Sequence, residues 1–390
     1  MKLILGPTNV ENLHWAVAIR TRTSPLEREL GEAVCGCLEK LGCRARLVED
    51  GDPAGLKGEV LLLLINLDNF TAYCRQLRTA GAARPVVILW QMDPLLPEGM
   101  PPQAEAIGLK AARWKDRFRL YQSTTAMSRW EKLRTAVRLR EWACKQFSAP
   151  GYRKAARLIQ RSGVAGDFDW PQVRGAMGSW ARIRDAHREG WVDHFVVSTD
   201  QRRRFLASRS IPSSFVPVGA YAELGRDLGR PRDIPVGFLG NIKYGRRAVL
   251  LEQLGRRLEE KGVSMARVLG NCHGEQRCEW LNRTRILVNL NNIAWNPAWI
   301  RFLLAARCGT LVVSEPMDDE HPMRPGVHYV AATPDQMPEV ILQLLEDTAT
   351  VSRITRAAAE LCRTELTLLR ALEKVRACAE AVNPAKETST

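Results

Sequence analysis

The sequence predicts an α/β protein of two doubly wound parallel sheets, with helices on both faces of each and a helical insertion in the first. Three observations predict it. Apolar runs of strand length alternate with stretches of helix length in both halves of the chain. A segment rich in glycine and charge, 220–233, separates the halves. The third is Ile286–Glu315, which reads as strand, polar loop, helix and strand, the unit that binds ligands at strand C-termini in open α/β sheets.

In the first half, 14–20 (HWAVAIR) reads as a strand, and Ser24 is an N-cap for a helix from Pro25 to Leu41 that Gly42 ends. Strands follow at 45–49 and 60–66, a helix at about 69–80, and a buried strand at 85–90 that runs into Gln91, Met92, Asp93 and Pro94. From about 103 to 191 the pattern is helical and charged, with Trp114, Trp130, Trp142, Trp170, Trp180 and Trp191 at a density that suits packing between helices. Strands resume at 194–198 and 215–218, and 201–204 (QRRR) opens a helix whose arginines read as a solvated face. In the second half, strands are expected at 234–240, 266–269, 286–290, 310–313 and near 328–331. Helices are expected at about 246–261, a short one at 280–283, one from near Pro297 to Gly309, and more across 338–382. The domains are therefore 1–219 with the insertion at about 103–191, a linker at 220–233, a second doubly wound domain at 234–365, and a final helix with a polar, disordered tail over 366–390.

The 390 residues are 45% hydrophobic and 26% charged, ordinary for a soluble globular chain, and no apolar run has the length of a membrane span. Ten cysteines lie without paired spacing, and the start shows no export signal, so reduced thiols and a cytoplasmic location are expected, with the inner membrane face as a peripheral option. The net charge of +14 attracts polyanions, though no block of Lys and Arg resembles a nucleic-acid tail. Cys272, His273 and Cys278 do not match a zinc spacing, so no metal is expected.

Four segments in order then carry a resemblance: 232–240 (RDIPVGFLG) with Arg246, Arg247, Leu250 and Leu251; 266–270 (ARVLG); 284–289 (TRILVN); and 301–315 (RFLLAARCGTLVVSE). This part of the chain resembles the donor-binding domain of GT-B glycosyltransferases, specifically the CgeB-like (spore maturation protein) group. The resemblance implies transfer of a sugar from a nucleotide-diphosphate donor to an acceptor hydroxyl, with helix dipoles and cations in place of a bound metal and no other cofactor. It leaves the acceptor unnamed, and the charge admits an acidic or membrane-associated one. Many retaining relatives carry two Glu with seven residues between them; those positions here hold Asn296 and Leu304.

The residues expected to hold the donor follow from placement. Gly240, Asn241, Lys243, Arg246 and Arg247 lie between a strand and a helix start, where backbone amides and cations meet a pyrophosphate. Arg301 sits in the first turn of its helix, where a bound anion offsets the opposing helix dipole. Asn291, Asn296 and Glu315 offer bonds to sugar or ribose hydroxyls. Asp93, at the end of a strand on the cleft edge, is the first choice for the base that deprotonates the acceptor, and His14 the second. The competing readings are a non-catalytic nucleotide-sugar-binding protein of the same fold and a basic nucleic-acid-binding protein.

Overall fold

The computed structural model describes residues 13–20, 24–49, 57–64, 84–122, 149–163, 170–242, 245–270, 272–293, 295–317 and 320–382, with Asp52, Ala54, Gln76, Leu77 and Thr79; for 113–122 and Trp170 it gives the backbone alone. The expected helix at 69–80 and the polar tail lie outside the described residues, apart from those isolated positions.

Six parallel strands form the first sheet, in the order β2-β1-β3-β4-β5-β6: β1 (His14–Ile19), β2 (Arg44–Glu49), β3 (Val60–Leu64), β4 (Val86–Gln91), β5 (His194–Val197) and β6 (Ser213–Phe215). The strands β3 and β4 are buried at every residue, as a sheet covered on both faces requires. Alternate side chains go to opposite layers. Trp15, Val17, Leu62, Leu64, Ile88 and Trp90 face one core, while Ala16, Ala18, Leu61, Leu63, Val87 and Leu89 face the other. The helix Pro25–Lys40 covers the first face, and its start is fixed by a reciprocal cap in which Glu27 N–H donates to Ser24 Oγ and Ser24 N–H to Glu27 Oε2. Helices Pro102–Gln122 and Trp170–Arg188 cover the second face, where Trp180 is buried edge-on to Phe205 and donates to Glu105 Oε1 at 2.7 Å. That is the interhelical packing its sequence position implies.

The second sheet has five parallel strands, in the order β11-β10-β9-β7-β8: β7 (Ile234–Leu239), β8 (Met265–Val268), β9 (Thr284–Asn289), β10 (Leu311–Ser314) and β11 (Val330–Ala331). Helices Arg246–Glu259 and Met337–Glu346 contribute to the core on one face. Helices Ile300–Arg307 and Thr348–Thr364 pack on the other, in a core that continues into the first domain. The helix expected from Pro297 begins three residues later. The turn before it is closed by Asn296 N–H on the Ile293 carbonyl and tied to the other half by Trp295 Nε1 on the Leu95 carbonyl at 2.9 Å. The strand expected at 215–218 ends at Phe215, because Val216 turns its carbonyl to Trp90 Nε1 at 3.1 Å. The arginines of 201–204 are not one solvated face: Gln201 and Arg202 are buried in the helix Asp200–Ala207, while Arg203 and Arg204 pair with Asp200. The short helix expected at 280–283 spans Gly274–Arg283.

The backbone passes twice between the halves. Ala220 N–H donates to the Leu366 carbonyl and Leu368 N–H to the Ala220 carbonyl, so the outgoing linker and the returning chain pair side by side. The helix Leu368–Val382 then packs against the first domain, on the helix Pro25–Lys40 and on β4 and β5. The buried Arg277 of the second domain adds an ion pair at 3.0 Å to Glu29 of the first.

At the double crossing a Cβ on Gly219 would lie 2.1 Å from the carbonyl carbon of Thr367 and 2.5 Å from Leu368 N, both backbone atoms. Gly219→Ala is therefore expected to cost about 3 kcal/mol, read as a lower midpoint in thermal denaturation. Gly36→Ala is the control. Gly36 lies inside a helix with no atom within 4 Å of the added Cβ, and the change should be neutral or stabilising by about 0.5 kcal/mol. Equal midpoints for the two variants would show that the crossing is not tightly packed.

Candidate functional site

In the second sheet β7 sits between β8 and β9, so the chain winds away in opposite directions and leaves a crevice at the C-terminal ends of β7 and β9. Arg301 lies there, buried. Its Nε donates to the Leu239 carbonyl at 2.7 Å, its Nη1 to Asn289 Oδ1 at 2.9 Å, and its guanidinium lies over the Phe238 ring at 5.2 Å. Arg247 is its neighbour, also buried, donating to the Leu290 and Asn241 carbonyls at 2.8 and 3.0 Å. Burial pulls the Arg301 guanidinium down to about 9, with the charge of Arg247 adding to the effect. Burial likewise pulls Arg247 down to about 10, with Glu315 opposing the shift and Arg246 adding to it. Among the described residues no carboxylate acts on Arg301.

Gly240 closes the crevice from β7. Its φ is +145°, and a Cβ there would come within 2.5 Å of Arg301 Nη2. Gly245 precedes the helix Arg246–Glu259 with φ +76° and no side-chain cap, which leaves first-turn amides open to an outside acceptor. Lys243 lies outside the described residues.

Arg246 and Glu315 meet as a bidentate pair, with Arg246 Nη1 at 3.0 Å from Glu315 Oε2 and Nη2 on Oε1. The backbone N–H of Asn291 adds a third bond to Glu315, at 2.7 Å. Glu315 is thus largely engaged by the protein, unlike a carboxylate held open for a ribose. The Asn291 side-chain Oδ1 is buried without a hydrogen-bond partner among the described residues. Leu304 is packed in the core. Asn296 is not gathered with Arg301; its Oδ1 accepts from Arg202 Nη2 of the first domain at 2.8 Å.

The two base candidates fall on opposite edges of the first sheet. Asp93 follows β4 on the C-terminal edge, and Arg20, which follows β1, places Nη2 at 3.2 and 3.1 Å from its two oxygens. Burial pushes the Asp93 carboxyl upward, against Arg20, Arg182 and Arg202, which lower it, and with Glu27, which raises it. His14 opens β1 on the N-terminal edge and is exposed, so the structure does not bring it to Asp93. The arginines around Asp93 were missed in the sequence. The available signal was their position: Arg20 directly follows a strand and Arg202 lies in the first turn after one.

Below the Arg301 helix, Trp299 stacks flat on His321 at 3.8 Å and 7°, and His321 Nδ1 accepts from Met323 N–H. Burial, with the nearby His328, pulls the imidazole down to about 3. Among the described residues no group of three His, Cys, Asp or Glu is placed to hold a metal ion, and no helix is long and apolar enough to cross a membrane.

Residues 240–377 match a family model described as glycosyl transferase-like. The chain has the GT-B fold. An alpha-glucosyltransferase solved with UDP and a 13-mer DNA superposes with a TM-score of 0.52 at 10% identity, over 94% of this chain and all of that one. HepE of Anabaena, in complex with UDP and glucose, gives 0.49 at 10% identity over 95% and 100% of the two chains. A G117R mutant of S. aureus TarM, with UDP, Fondaparinux and alpha-GlcNAc-glycerol, gives 0.48 at 11% identity over 90% of this chain; the chain spans 58% of that TarM chain. None of the curated protein sequences matches.

The His321 arrangement sets a pH dependence. An unfolded imidazole binds a proton below about 6.5, whereas folded His321 stays neutral down to about 3. The unfolded state therefore gains protons first, and stability should fall as pH drops below about 6.5, by up to about 1.4 kcal/mol per pH unit. His321→Phe keeps a ring against Trp299 and should lose less of its thermal midpoint than the parent between pH 7 and pH 5. Parallel losses would show that His321 does not carry the effect.

Proposed function

We propose that the protein is a glycosyltransferase of the CgeB-like type, moving a sugar from a nucleotide-diphosphate donor to an acceptor hydroxyl without a bound metal. The observation that carries this reading is the buried pair Arg247 and Arg301, at the C-terminal edge of the second sheet and without a carboxylate on Arg301. Burying a guanidinium against carbonyls and an amide costs several kcal/mol unless an anion offsets it. A diphosphate over Gly240 and the first turn of the helix Arg246–Glu259 supplies that anion. The family match over 240–377 supports the same assignment.

In the reaction the acceptor oxygen attacks the anomeric carbon, the bond from that carbon to the diphosphate oxygen breaks, and the acceptor proton passes to Asp93. The two guanidiniums and the helix N-terminus stabilise the charge that develops on the departing diphosphate. Burial raises the affinity of Asp93 for a proton, the direction that proton abstraction requires. With Leu304 in the core, Asn296 held by Arg202 and Glu315 by Arg246, the carboxylates of many retaining relatives have no free counterpart here, and a displacement that inverts the anomeric centre fits the residues better.

Arg301→Ala should weaken UDP binding by about 1.5–3 kcal/mol, a ten- to hundredfold rise in Kd by calorimetry. Gly240→Ala, which pushes on the same guanidinium, should weaken it in the same direction. Unchanged affinity in both would remove Arg301 from the site. Asp93→Asn should abolish transfer while the donor still binds. An active variant would exclude Asp93 as the base, and donor binding with neither hydrolysis nor transfer by the parent would favour a non-catalytic binding protein.

A further inference from the structure

Gln91 ends β4 and is fully buried, an uncommon place for an amide side chain. Its backbone carbonyl is held from the β5 side, accepting from Ser198 N–H at 3.2 Å and from Ser198 Oγ at 3.4 Å. Its side-chain Nε2 donates to the Asp93 carbonyl at 2.9 Å. That carbonyl only accepts, so the amide nitrogen must face it and the amide oxygen must face away. This oxygen, Oε1, is buried and has no hydrogen-bond partner among the described residues. A buried acceptor without a hydrogen is costly, and an apolar side chain of similar volume would fill the position without that cost.

A second unmet atom belongs to the other partner of Asp93. Arg20 places Nη2 on both Asp93 oxygens, while its Nε is buried without a hydrogen-bond partner among the described residues. One unmet atom is thus an acceptor and the other a donor, each on a side chain tied to Asp93. An anion has no hydrogen to give to Gln91 Oε1, and an ammonium is repelled by the Arg20 guanidinium. A neutral hydroxyl both donates and accepts, so it suits the two together. Gln91 and Asp93 lie at the end of β4 and Arg20 just after β1, on the C-terminal edge of the first sheet, where open α/β sheets bind their ligands.

We propose that Gln91 selects the acceptor: its Oε1 takes a hydrogen bond from a second hydroxyl, next to the one that Asp93 deprotonates, so the acceptor is a vicinal diol. The role of the first hydroxyl rests on the glycosyl-transfer reading, and the diol site itself can be tested apart from it. A site that bonds a hydroxyl rejects an analogue without one, because the buried group is then left unpaired. Gln91 thereby supplies discrimination beside the residue that takes the proton. The diol belongs to a sugar ring or to an open-chain polyol, which offer the same pair of hydroxyls.

The test uses the full chain with saturating UDP and measures dissociation constants by saturation-transfer NMR. It compares cis-1,2-cyclohexanediol with cyclohexanol, and 1,2-propanediol with 1-propanol. The diol of at least one pair should bind at least about tenfold more tightly than its alcohol. In Gln91→Met that ratio should collapse to within about twofold. Gln91→Glu keeps an acceptor oxygen and should retain part of it, with UDP affinity unchanged in both variants. Thermal melts verify folding, and the Gln91→Met midpoint should be level with the parent or above it, since the variant removes an unmet acceptor. An amide needed only for packing would instead lower the midpoint and leave the diol preference in place. A preference in the ring pair alone assigns the site to a sugar ring, and one in the open pair alone to a polyol. Equal binding of diol and alcohol in both pairs, binding by none of the four, or a preference that survives Gln91→Met overturns the proposal, and the donor reading then stands or falls on UDP binding alone. A diol preference lost in Gln91→Met, in a chain that does not bind UDP, keeps the diol site and removes the donor reading instead.

Discussion

A guanidinium buried at the end of a sheet constrains everything around it. Arg301 bonds the last carbonyl of β7 and the Asn289 side chain at the end of β9, so one side chain ties two adjacent strands at the point where the winding direction changes. Phe238 supplies the ring beneath it, and Gly240 supplies the only side chain small enough to pass it. Arg247 reaches the same crevice from the next helix and bonds the carbonyls that follow each strand. Strand register, helix position and loop conformation thus depend on holding two cations in a place of low polarity. Such an arrangement is costly as pure structure and economical as a preformed anion site.

The first domain repeats the logic with a different balance. There the cations surround a carboxylate, and burial and charge pull Asp93 in opposite directions. Both regions lie at strand C-termini, and Arg202 Nη2 on Asn296 Oδ1 and Trp295 Nε1 on the Leu95 carbonyl join the two domains beside them.

Much of this was legible in the sequence because it depends on local pattern. The apolar runs of β3, β4, β7 and β9 announce strands buried on both faces, and Ser24, Pro25 and Glu27 announce a helix start. That Gly240 and Arg301 meet at the C-terminal edge of the second sheet could be read from strand and helix limits alone. What escaped depends on partners distant in the chain. Nothing near Glu315 shows that Arg246, sixty-nine residues earlier, occupies it. Nothing within 201–204 separates the buried Arg202 from the partly exposed Arg203, since helix phase relative to the sheet decides that. The start of the Arg301 helix shifted because Leu95 and Arg202, in the other domain, hold the turn before it.

The paired backbone at Ala220 and Leu366–Leu368 has a mechanical consequence. One covalent connection between domains is a swivel, free to twist as well as bend. Two connections, hydrogen-bonded side by side, form a strap that bends across its width and resists twisting. The side-chain contacts away from it, Arg277 with Glu29, Trp295 with Leu95 and Asn296 with Arg202, are the ones that a bend would part. Opening would then follow one path and closing would retrace it, so that the sheet edges bearing Asp93 and Arg301 return to the same relative position.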